Sequence, residues 1–487
     1  MNAQELEQMF APTITDQAYE QADQLRISLI CRVDSYKFSH YLAYPAGITA
    51  MTSYGEARMS ITQAIVPFGM QMLIKRYLSQ SITMADVDAA EQFALAHFGR
   101  PLFDRAAWER VVTLYGGRLP LIIRSVPEGT LMRGGQPIYT VTCVDPLCAW
   151  MSAGFETMIQ RGIWYPTTIA TRDWEVKQRM RDLYIATGAD LNMLPFALHD
   201  FGGRGVSCAE QAEIGGAAHL VNFMGSDTVE GVLAANFYYK NSMSAFSVYA
   251  TEHAIECSWG GGREEARAYI AHQIAQAPRG SIISIVLDGY DVYREADMIC
   301  TEFRDTIVNS GVRVVFRPDS GDMMEVVPRI LAMQQAAFGV DVTERGYKRI
   351  RNVGIIQGDG VDSESLIALL CKLRDLGYSA DCVVFGSGGA LLQKVNRDTL
   401  KFAQKACSIL INGEWRGIAK NPVTDSGKRS KEGLLTLARN GDTGELRTMR
   451  LDQGALPAGW KDVMQLVYYK GQLFNEVTLD EVRARVS

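Results

Sequence analysis

The chain has 487 residues, of which 47% are hydrophobic and 21% charged, and this composition excludes an intrinsically disordered protein. Its formal net charge is −6 at pH 7, so no overall basic field favours nucleic acid as the main partner. The nine cysteines show no C-x-x-C spacing, which favours reduced thiols in a cytoplasmic protein over a disulfide framework or a zinc site.

The length fits about three average domains, or two larger ones if one is an α/β barrel. The N-terminal stretch carries acids and lacks the basic and apolar blocks of a signal peptide. No run approaches the roughly 18 uninterrupted apolar residues that cross a membrane. We therefore expect a soluble protein with no membrane contact.

Both ends of the chain carry short alternating segments mixed with helical patterns. Examples are LIIRSVPEGT from Leu121, QPIYTVTCV from Gln136 and LRTMRLDQG from Leu446. Alternation of apolar and polar residues is typical of strands with one buried face. We predict one α+β domain built from residues 1–185 and 401–487, which encloses a central domain of residues 186–400.

The central domain repeats short apolar, β-branched runs about every 30 residues, the length of one strand–helix unit. Each run ends in a polar or glycine cluster. The clusters lie at Asp200, Asp227, His253, Asp288, Asp319, Asp359 and Gly388. Helical patterns such as VDSESLIALLCKLRDLG separate the runs, which predicts a parallel sheet. Seven or so units fit a closed or nearly closed α/β barrel, and a doubly wound open sheet is the alternative.

In a parallel α/β domain, function resides at the carboxyl ends of the strands, where these clusters fall. Arginines such as Arg204 and Arg317 bind phosphate oxygens, carboxylates accept ribose hydroxyls, and glycine loops let backbone N–H groups approach a phosphate. The set therefore indicates a phosphorylated, hydroxyl-rich ligand. A lone strand-end aspartate more often caps a helix. We expect His219 to be structural, and His199 beside Asp200 has either role.

Nine segments carry a family resemblance. They are DSYKFSHYLAYP from Asp34, HDFGGRGVS from His199, HLVNFMGSDTV from His219, ATEH from Ala250, DGYDVY from Asp288, RPDSG from Arg317, IQGDGVD from Ile356, FGSGGALLQKVNRD from Phe385 and NPVTDSGKRSKEG from Asn421. With these segments in this order, the chain closely resembles the nicotinamide phosphoribosyltransferases. The match runs over nearly the whole length.

The resemblance implies a homodimeric enzyme with the α/β barrel of the type II phosphoribosyltransferases and an active site at the dimer interface. Such an enzyme joins nicotinamide to phosphoribosyl pyrophosphate and releases pyrophosphate and nicotinamide mononucleotide, in the salvage of NAD. It uses Mg²⁺, and it hydrolyses ATP through a phosphorylated histidine.

The resemblance also assigns the nicotinamide site. It implies that the pyridine ring lies between Phe201 and Tyr36, the tyrosine coming from the other subunit, where aromatic faces add stacking to apolar burial. Asp227 would accept the carboxamide N–H₂ and repel the carboxylate of nicotinate, which gives selectivity a physical source. Arg317 and Asp319 would flank the ring and the ribose.

His253 is the implied phosphoryl acceptor at the pyrophosphate end, and it forms the catalytic set with Arg317 and Asp319. We expect Asp288 to orient His253. Mg²⁺ would be held mainly by pyrophosphate, with Asp288 near it. The remaining implied contacts to phosphate, pyrophosphate and ribose, several of them across the interface, are Arg58, Arg204, Gly358, Asp359, Gly388, Gly389, Arg397, Lys405, Lys420 and Lys428.

Three other functions stay open from sequence. A nicotinate phosphoribosyltransferase would share the barrel and the phosphate contacts, but Asp227 argues against it. A nucleotide-binding sensor without turnover would not need a phosphorylatable histidine. A decarboxylating transferase of the quinolinate type would need extra cations. Two departures from the family pattern are Gly203, where an aromatic side chain is usual, and the long extension before Asp34; the first predicts a wider ring pocket.

Overall fold

The computed structural model describes residues 2, 4–5, 26–59, 63–424 and 429–487. Two seven-stranded sheets dominate this part of the chain, and a two-stranded and a three-stranded sheet accompany them. The strands are β1 (Ile48–Ala57), β2 (Leu121–Ser125), β3 (Pro137–Cys143), β4 (Leu198–Asp200), β5 (Gly225–Ser226), β6 (Tyr249–Ala250), β7 (Ile282–Val286), β8 (Arg313–Arg317), β9 (Val340–Val342), β10 (Lys348–Ile350), β11 (Val353–Gln357), β12 (Val383–Ser387), β13 (Phe402–Ile411), β14 (Glu414–Gly417), β15 (Leu435–Asn440), β16 (Leu446–Arg450), β17 (Trp460–Asp462), β18 (Gln465–Tyr469) and β19 (Gln472–Leu473).

The helices pack around these sheets. They are α1 (Met70–Leu73), α2 (Met84–Phe98), α3 (Arg105–Tyr115), α4 (Met151–Gly154), α5 (Glu156–Thr187), α6 (Ala209–His219), α7 (Val229–Tyr238), α8 (His253–Trp259), α9 (Arg263–Gln276), α10 (Val292–Thr301), α11 (Arg304–Ser310), α12 (Met323–Phe338), α13 (Ser363–Asp375), α14 (Gly389–Gln393) and α15 (Leu479–Val486). None of the helices in the described ranges is both long enough and apolar enough to cross a membrane.

The first seven-stranded sheet joins the two ends of the chain. Its strand order is β14-β13-β1-β3-β2-β18-β19, and β1 pairs antiparallel with β13 from Ile48 opposite Ile411 to Ala57 opposite Phe402. The alternating segments recognised in the sequence form β2 and β3 of this sheet and β16 of the three-stranded sheet. The domain boundaries near residues 185 and 400 stay predictions.

The second sheet is parallel, in the order β5-β4-β12-β11-β8-β7-β6. A single short segment joins its two edges, because Phe246 bridges to Gly225 of β5 while Tyr249 pairs with Ile283 of β7. The central strands are buried and rich in valine, isoleucine and phenylalanine, as in any sheet covered on both faces. The predicted α/β fold with a curled, barrel-like sheet is confirmed.

Helix α5 links the two sheets. It has 32 residues, and Trp164 on this helix packs against the hydrophobic cores of both. Helix α13 shows why the strand–helix units are readable from sequence, since Asp362 caps its N-terminus through a capping box with Ser365. The two hydrophobic cores are thus joined by one continuous helix, α5.

One predicted strand end is wrong. The cluster at His253 predicts that the run before it, FSVYATEH, is a strand up to His253, but β6 ends at Ala250 and His253 is the first residue of α8. Glu252 has the extended conformation of an N-cap, and the N–H of Glu256 already donates to the carbonyl of Glu252 at 3.1 Å. The helix therefore begins where the strand was predicted to end.

Candidate active site

A cavity of about 880 Å³ opens at the carboxyl ends of the parallel strands. Nine of the residues predicted from sequence line it: Phe201, Arg204, Asp227, His253, Arg317, Asp319, Gly358, Gly388 and Gly389. These residues come from six different strand–helix units, and only a parallel arrangement brings the ends of their strands together. The cavity is large enough for a nucleotide-sized ligand.

Phe201 forms a fixed aromatic wall of this cavity. Its backbone N–H donates to the carbonyl of Ser387 at 2.9 Å, which anchors the residue to the end of β12. A Cβ atom at Gly386 would lie 1.9 Å from the Phe201 ring, and one at Gly358 would lie 3.7 Å from it. The ring can occupy this position only because residue 386 has no side chain. Gly203 also lines the cavity, as the departure noted in the sequence suggests.

Arg317 and Asp319 place opposite charges on the lining of the cavity. Burial raises the pKa of the Asp319 carboxyl, while the positive charge of Arg317 opposes that rise. The Nε atom of Arg317 is buried and has no hydrogen-bond partner among the residues that the structure describes. Buried polar groups are nearly always paired, so this donor indicates that a ligand completes the site. Asp359 is exposed and lies outside the cavity lining, although its charge also raises the pKa of Asp319.

Asp227 follows β5 and is solvent-exposed at the cavity, on the same wall as Thr228. Its backbone N–H donates to the carbonyl of Asp200 at 2.9 Å, and its carboxylate accepts a hydrogen bond from the hydroxyl of Ser247. Ser247 therefore fixes one carboxylate oxygen and leaves the other for a ligand. Sequence reasoning did not identify Ser247, because its contact with Asp227 depends on how the β5–β6 connection folds back.

His253 lies at the cavity with Asp288 behind it. Nε2 of His253 is 3.0 Å from Oδ1 of Asp288; the histidine side chain is 46% exposed and the aspartate only 4%. The structure brings Asp288 to His253, as the orienting role predicted for it requires.

The glycine loops at the mouth approach one another closely. A Cβ at Gly205 would lie 2.6 Å from the Cα of Gly389, whereas nothing lies within 4 Å of a Cβ at Gly388. The first glycine allows the two loops to pack, and the second leaves its backbone open toward the cavity. Open backbone N–H groups beside Arg204 suit a phosphate.

The other predicted contacts lie elsewhere on this chain, around β1 and β13. They are Tyr36, Arg58, Arg397, Lys405 and Lys420, and none of them lines the cavity. Lys405 Nζ lies 3.4 Å from Glu156, which also binds Lys37 next to Tyr36 at 3.2 Å. Arg58 donates to the carbonyl of Lys401 through its backbone and pairs with Glu56 at 3.2 Å. Lys428 lies outside the described residues.

His219 and His199 both lie outside the cavity lining. His219 is fully buried, and its Nδ1 lies 2.7 Å from Asp173. Burial lowers its pKa, but the charge and hydrogen bond of Asp173 outweigh this and raise it overall. Burial lowers the pKa of His199, which sits on β4 facing away from Asp200. Asp200 instead accepts the N–H of Gly202 at 2.7 Å, so it caps the turn that carries Phe201.

A divalent cation would find few protein ligands here. In the described ranges, no three histidine, cysteine, aspartate or glutamate side chains converge on one point. Asp288 is engaged by His253, and the acidic residues that line the cavity, which include Asp319 and Asp227, do not form such a cluster. Mg²⁺ has a strong preference for phosphate oxygens and water. The site thus fits a cation that arrives with pyrophosphate and touches the protein at one or two points.

The chain is similar to known proteins over nearly its whole length. A profile of the nicotinate phosphoribosyltransferase family matches residues 196–455, and one of the nicotinamide phosphoribosyltransferase N-terminal domain matches residues 28–123. A nicotinamide phosphoribosyltransferase of Xanthomonas campestris pv. campestris is 43% identical, covering 94% of this chain and 97% of that protein. One of Acinetobacter baylyi is 30% identical, covering 95% and 97%. The solved nicotinate-nucleotide pyrophosphorylase of Pyrococcus furiosus shares the fold, with a TM-score of 0.61 at 16% identity over 96% of this chain and 97% of that one.

Proposed function

The chain belongs to the nicotinate phosphoribosyltransferase family and is a phosphoribosyltransferase, and from this we propose that its substrates are nicotinamide and phosphoribosyl pyrophosphate. The products are then nicotinamide mononucleotide and pyrophosphate. The observation that carries the choice of nicotinamide is Asp227, which presents a carboxylate on the cavity that Phe201 also lines. A carboxylate accepts the amide N–H₂ and repels a second carboxylate.

The reaction needs positioning more than proton transfer. The bond between the anomeric carbon and pyrophosphate breaks, its electron pair leaves with pyrophosphate, and the pyridine nitrogen supplies the new pair to carbon. The carbon passes through an oxocarbenium-like state, as in glycoside chemistry. The pyridine nitrogen carries no proton, so no general base is required. Phe201 holds the ring in line with the ribose, and the unpaired Nε of Arg317 is free to bind the substrate.

The charge that develops on pyrophosphate is stabilised at the other end of the cavity. Arg204 and His253, which both line the cavity, are the groups that we assign to pyrophosphate. Mg²⁺, when bound with pyrophosphate, neutralises part of this charge. The protein contributes fixed donors in a partly enclosed site, where such interactions are stronger than in water.

We propose in addition that ATP phosphorylates His253. Its Nε2 faces the Asp288 carboxylate, which leaves the other ring nitrogen as the nucleophile. The γ-phosphoryl group moves from ADP to that nitrogen, ADP leaves, and water later releases phosphate. No general base is needed, because a neutral imidazole with its N–H toward Asp288 already carries the lone pair.

We propose that the enzyme works as a homodimer. Three residues spaced four apart on α7, next to Asp227, form an exposed apolar stripe: Val229 is 62% exposed, Leu233 61% and Phe237 74%. Exposed apolar stripes of this kind usually contact a partner. A second subunit would also supply Tyr36 and its basic neighbours to the cavity, which they do not reach within one chain.

Mixing two inactive variants tests the dimer. Tyr36→Ala removes a residue predicted to act in the partner's site, and Arg317→Ala removes one that acts in its own. Random exchange of subunits makes half of the dimers mixed, each with one intact site, so about a quarter of wild-type activity should return. If no activity returns although subunits exchange, the shared site is refuted.

A product assay tests the reaction itself. The protein is incubated with phosphoribosyl pyrophosphate, Mg²⁺ and either nicotinamide or nicotinate, with and without ATP. We expect nicotinamide mononucleotide as the favoured product and a higher yield with ATP. Preferred use of nicotinate would overturn the role of Asp227 and keep the fold, and no product from either base would favour a nucleotide-binding sensor.

A further inference from the structure

A buried pair of glutamates lies directly behind the His253–Asp288 couple. Glu256 is on α8, one turn after His253, and is 2% exposed, while Glu295 on α10 is 1% exposed. The two carboxyl groups share a hydrogen bond. Glutamates are almost never this buried unless they are paired or functional.

Glu256 is tied to the residue that follows Asp288. Both of its carboxyl oxygens accept the backbone N–H of Gly289, at 3.1 and 3.0 Å. No side chain fits at position 289, since a Cβ atom there would lie 2.7 Å from the Glu256 carboxyl carbon. His253 and Glu256 are therefore connected in two ways. They lie on the same helix, α8, and they bind the consecutive residues Asp288 and Gly289.

The pair holds one proton near neutral pH. Burial and the adjacent charge of Glu295 raise the pKa of Glu256 to about 8, because two carboxylates in contact cannot both be charged in a dry site. Glu256 then donates to Glu295, which Arg294 also contacts through Nη2 at 3.3 Å. The charged and titratable groups that face the pair are Tyr269 on α9, Asp288, Tyr290 and Asp291 in the β7–α10 connection, and Arg294 on α10.

We propose that Glu256 and Glu295 are positioning residues, a carboxylic acid–carboxylate pair that holds Asp288 against His253. The role rests on the function proposed for His253. Loss of the shared proton above pH 8 places two negative charges in contact, which loosens the hold on Gly289 and hence on Asp288. Neither glutamate lines the cavity, so each acts only through the couple.

Two substitutions at one position separate shape from chemistry. Glu256→Gln keeps the length of the side chain, accepts the Gly289 N–H and donates to Glu295 permanently. Glu256→Leu has a similar volume but can do neither. The readout is the rate at which γ-labelled ATP transfers its label to His253 in the full-length protein between pH 6.5 and 9, with His253→Asn as the blank.

We expect Glu256→Gln to match the wild type within about two-fold at pH 7 and Glu256→Leu to be at least about 10-fold slower, since it loses hydrogen bonds to buried groups. Above pH 8 the wild type should slow, whereas Glu256→Gln should not, because an amide does not ionise. If Glu256→Leu is as fast as the wild type, or Glu256→Gln slows in parallel with it, the proposal is overturned. Should Glu256→Leu not fold, Glu295→Gln replaces it and must also abolish the alkaline slowing.

Histidine-ring NMR separates this proposal from the function of His253. The protein has six histidines, so His253→Asn assigns the His253 signals in ¹⁵N-histidine-labelled protein. If the wild type takes no label from ATP, the phosphohistidine function fails on its own. Positioning is then decided by the ring: signals displaced in Glu256→Leu and retained in Glu256→Gln support it, and signals unchanged in Glu256→Leu overturn it.

Discussion

Substitution of Gly386 by alanine should damage nicotinamide binding through Phe201. A Cβ atom at position 386 would lie 1.9 Å from the ring, and ordinary contact begins at 3.4 Å, so the ring must move by about 3.4 − 1.9 = 1.5 Å. The backbone of Phe201 cannot follow, because its N–H is bonded to Ser387. The ring is therefore pushed out of its place on the wall that should hold the pyridine.

The expected magnitude follows from this displacement. A shift of about 1 Å near a reacting group costs on the order of 10²-fold in rate, so kcat/KM for nicotinamide should fall about 100-fold. Overpacking of this kind also costs about 1–3 kcal/mol of the free energy of unfolding. Urea unfolding measures the second effect, and initial rates at saturating phosphoribosyl pyrophosphate measure the first.

A double-mutant cycle isolates the ring as the cause. In the Phe201→Ala background there is no ring to displace, so adding Gly386→Ala should change kcat/KM by less than about two-fold. Gly441→Ala serves as the control for a simple glycine effect, since a Cβ atom there would meet only a carbonyl oxygen at 3.5 Å. An equal loss from Gly386→Ala with and without the ring would refute the argument.

Three further predictions concern named charges. Asp227→Asn should lower the preference for nicotinamide over nicotinate by about 5- to 200-fold. Like charges about 5 Å apart repel by about 1–3 kcal/mol at effective dielectric constants between 20 and 80. An unchanged ratio of the two kcat/KM values would exclude Asp227 from base selection. Asp288→Asn should slow labelling of His253 by γ-labelled ATP about 10-fold or more, since a charged hydrogen bond contributes about 1.5–3 kcal/mol, and equal labelling would mean that Asp288 does not orient the ring. Asp173→Ala should lower the free energy of unfolding by about 3–5 kcal/mol through loss of the buried His219 pair. Because the pKa of His219 is raised in the folded state, the stability from its charged form is complete below the unfolded pKa near 6.5 and is lost as pH rises through the folded value, so the difference in urea midpoints should shrink at alkaline pH.

The sequence predicts the barrel mouth well for a physical reason. Strand and helix periodicity is local, and a parallel sheet aligns the carboxyl ends of its strands, so residues such as Arg317 and Asp319 must fall on one face once the sheet is predicted. The cluster at Asp227 could be placed in the same way, even though β5 has only two residues. The sequence therefore predicts those site residues whose positions depend only on hydrophobic periodicity and on polar residues at strand ends.

Features that depend on tertiary packing could not be predicted from the sequence. The helical start at His253 is hidden by the β-branched run before it, and with it the placement of Glu256 one turn later. The meeting of Glu256 with Glu295 requires α8 to pack against α10, which no spacing in the sequence encodes. Tyr36 and Lys405 enter only through the family resemblance, since nothing in their local pattern relates them to the barrel.

The pairing of β1 with β13 has a consequence for synthesis on the ribosome. Ile48 and its partner Ile411 are 411 − 48 = 363 residues apart, and at about 5–20 residues per second the second strand appears about 20 to 70 s after the first. During that time β3 can cover one edge of β1, while the other edge has no partner in the emerging chain. The strands of the barrel sheet, of which β12 is the last in the chain, are complete before β13 is made. An unpaired edge of ten residues is a site for misassociation, so yield of the folded protein should depend on chaperones that protect this edge more than on the stability of the barrel.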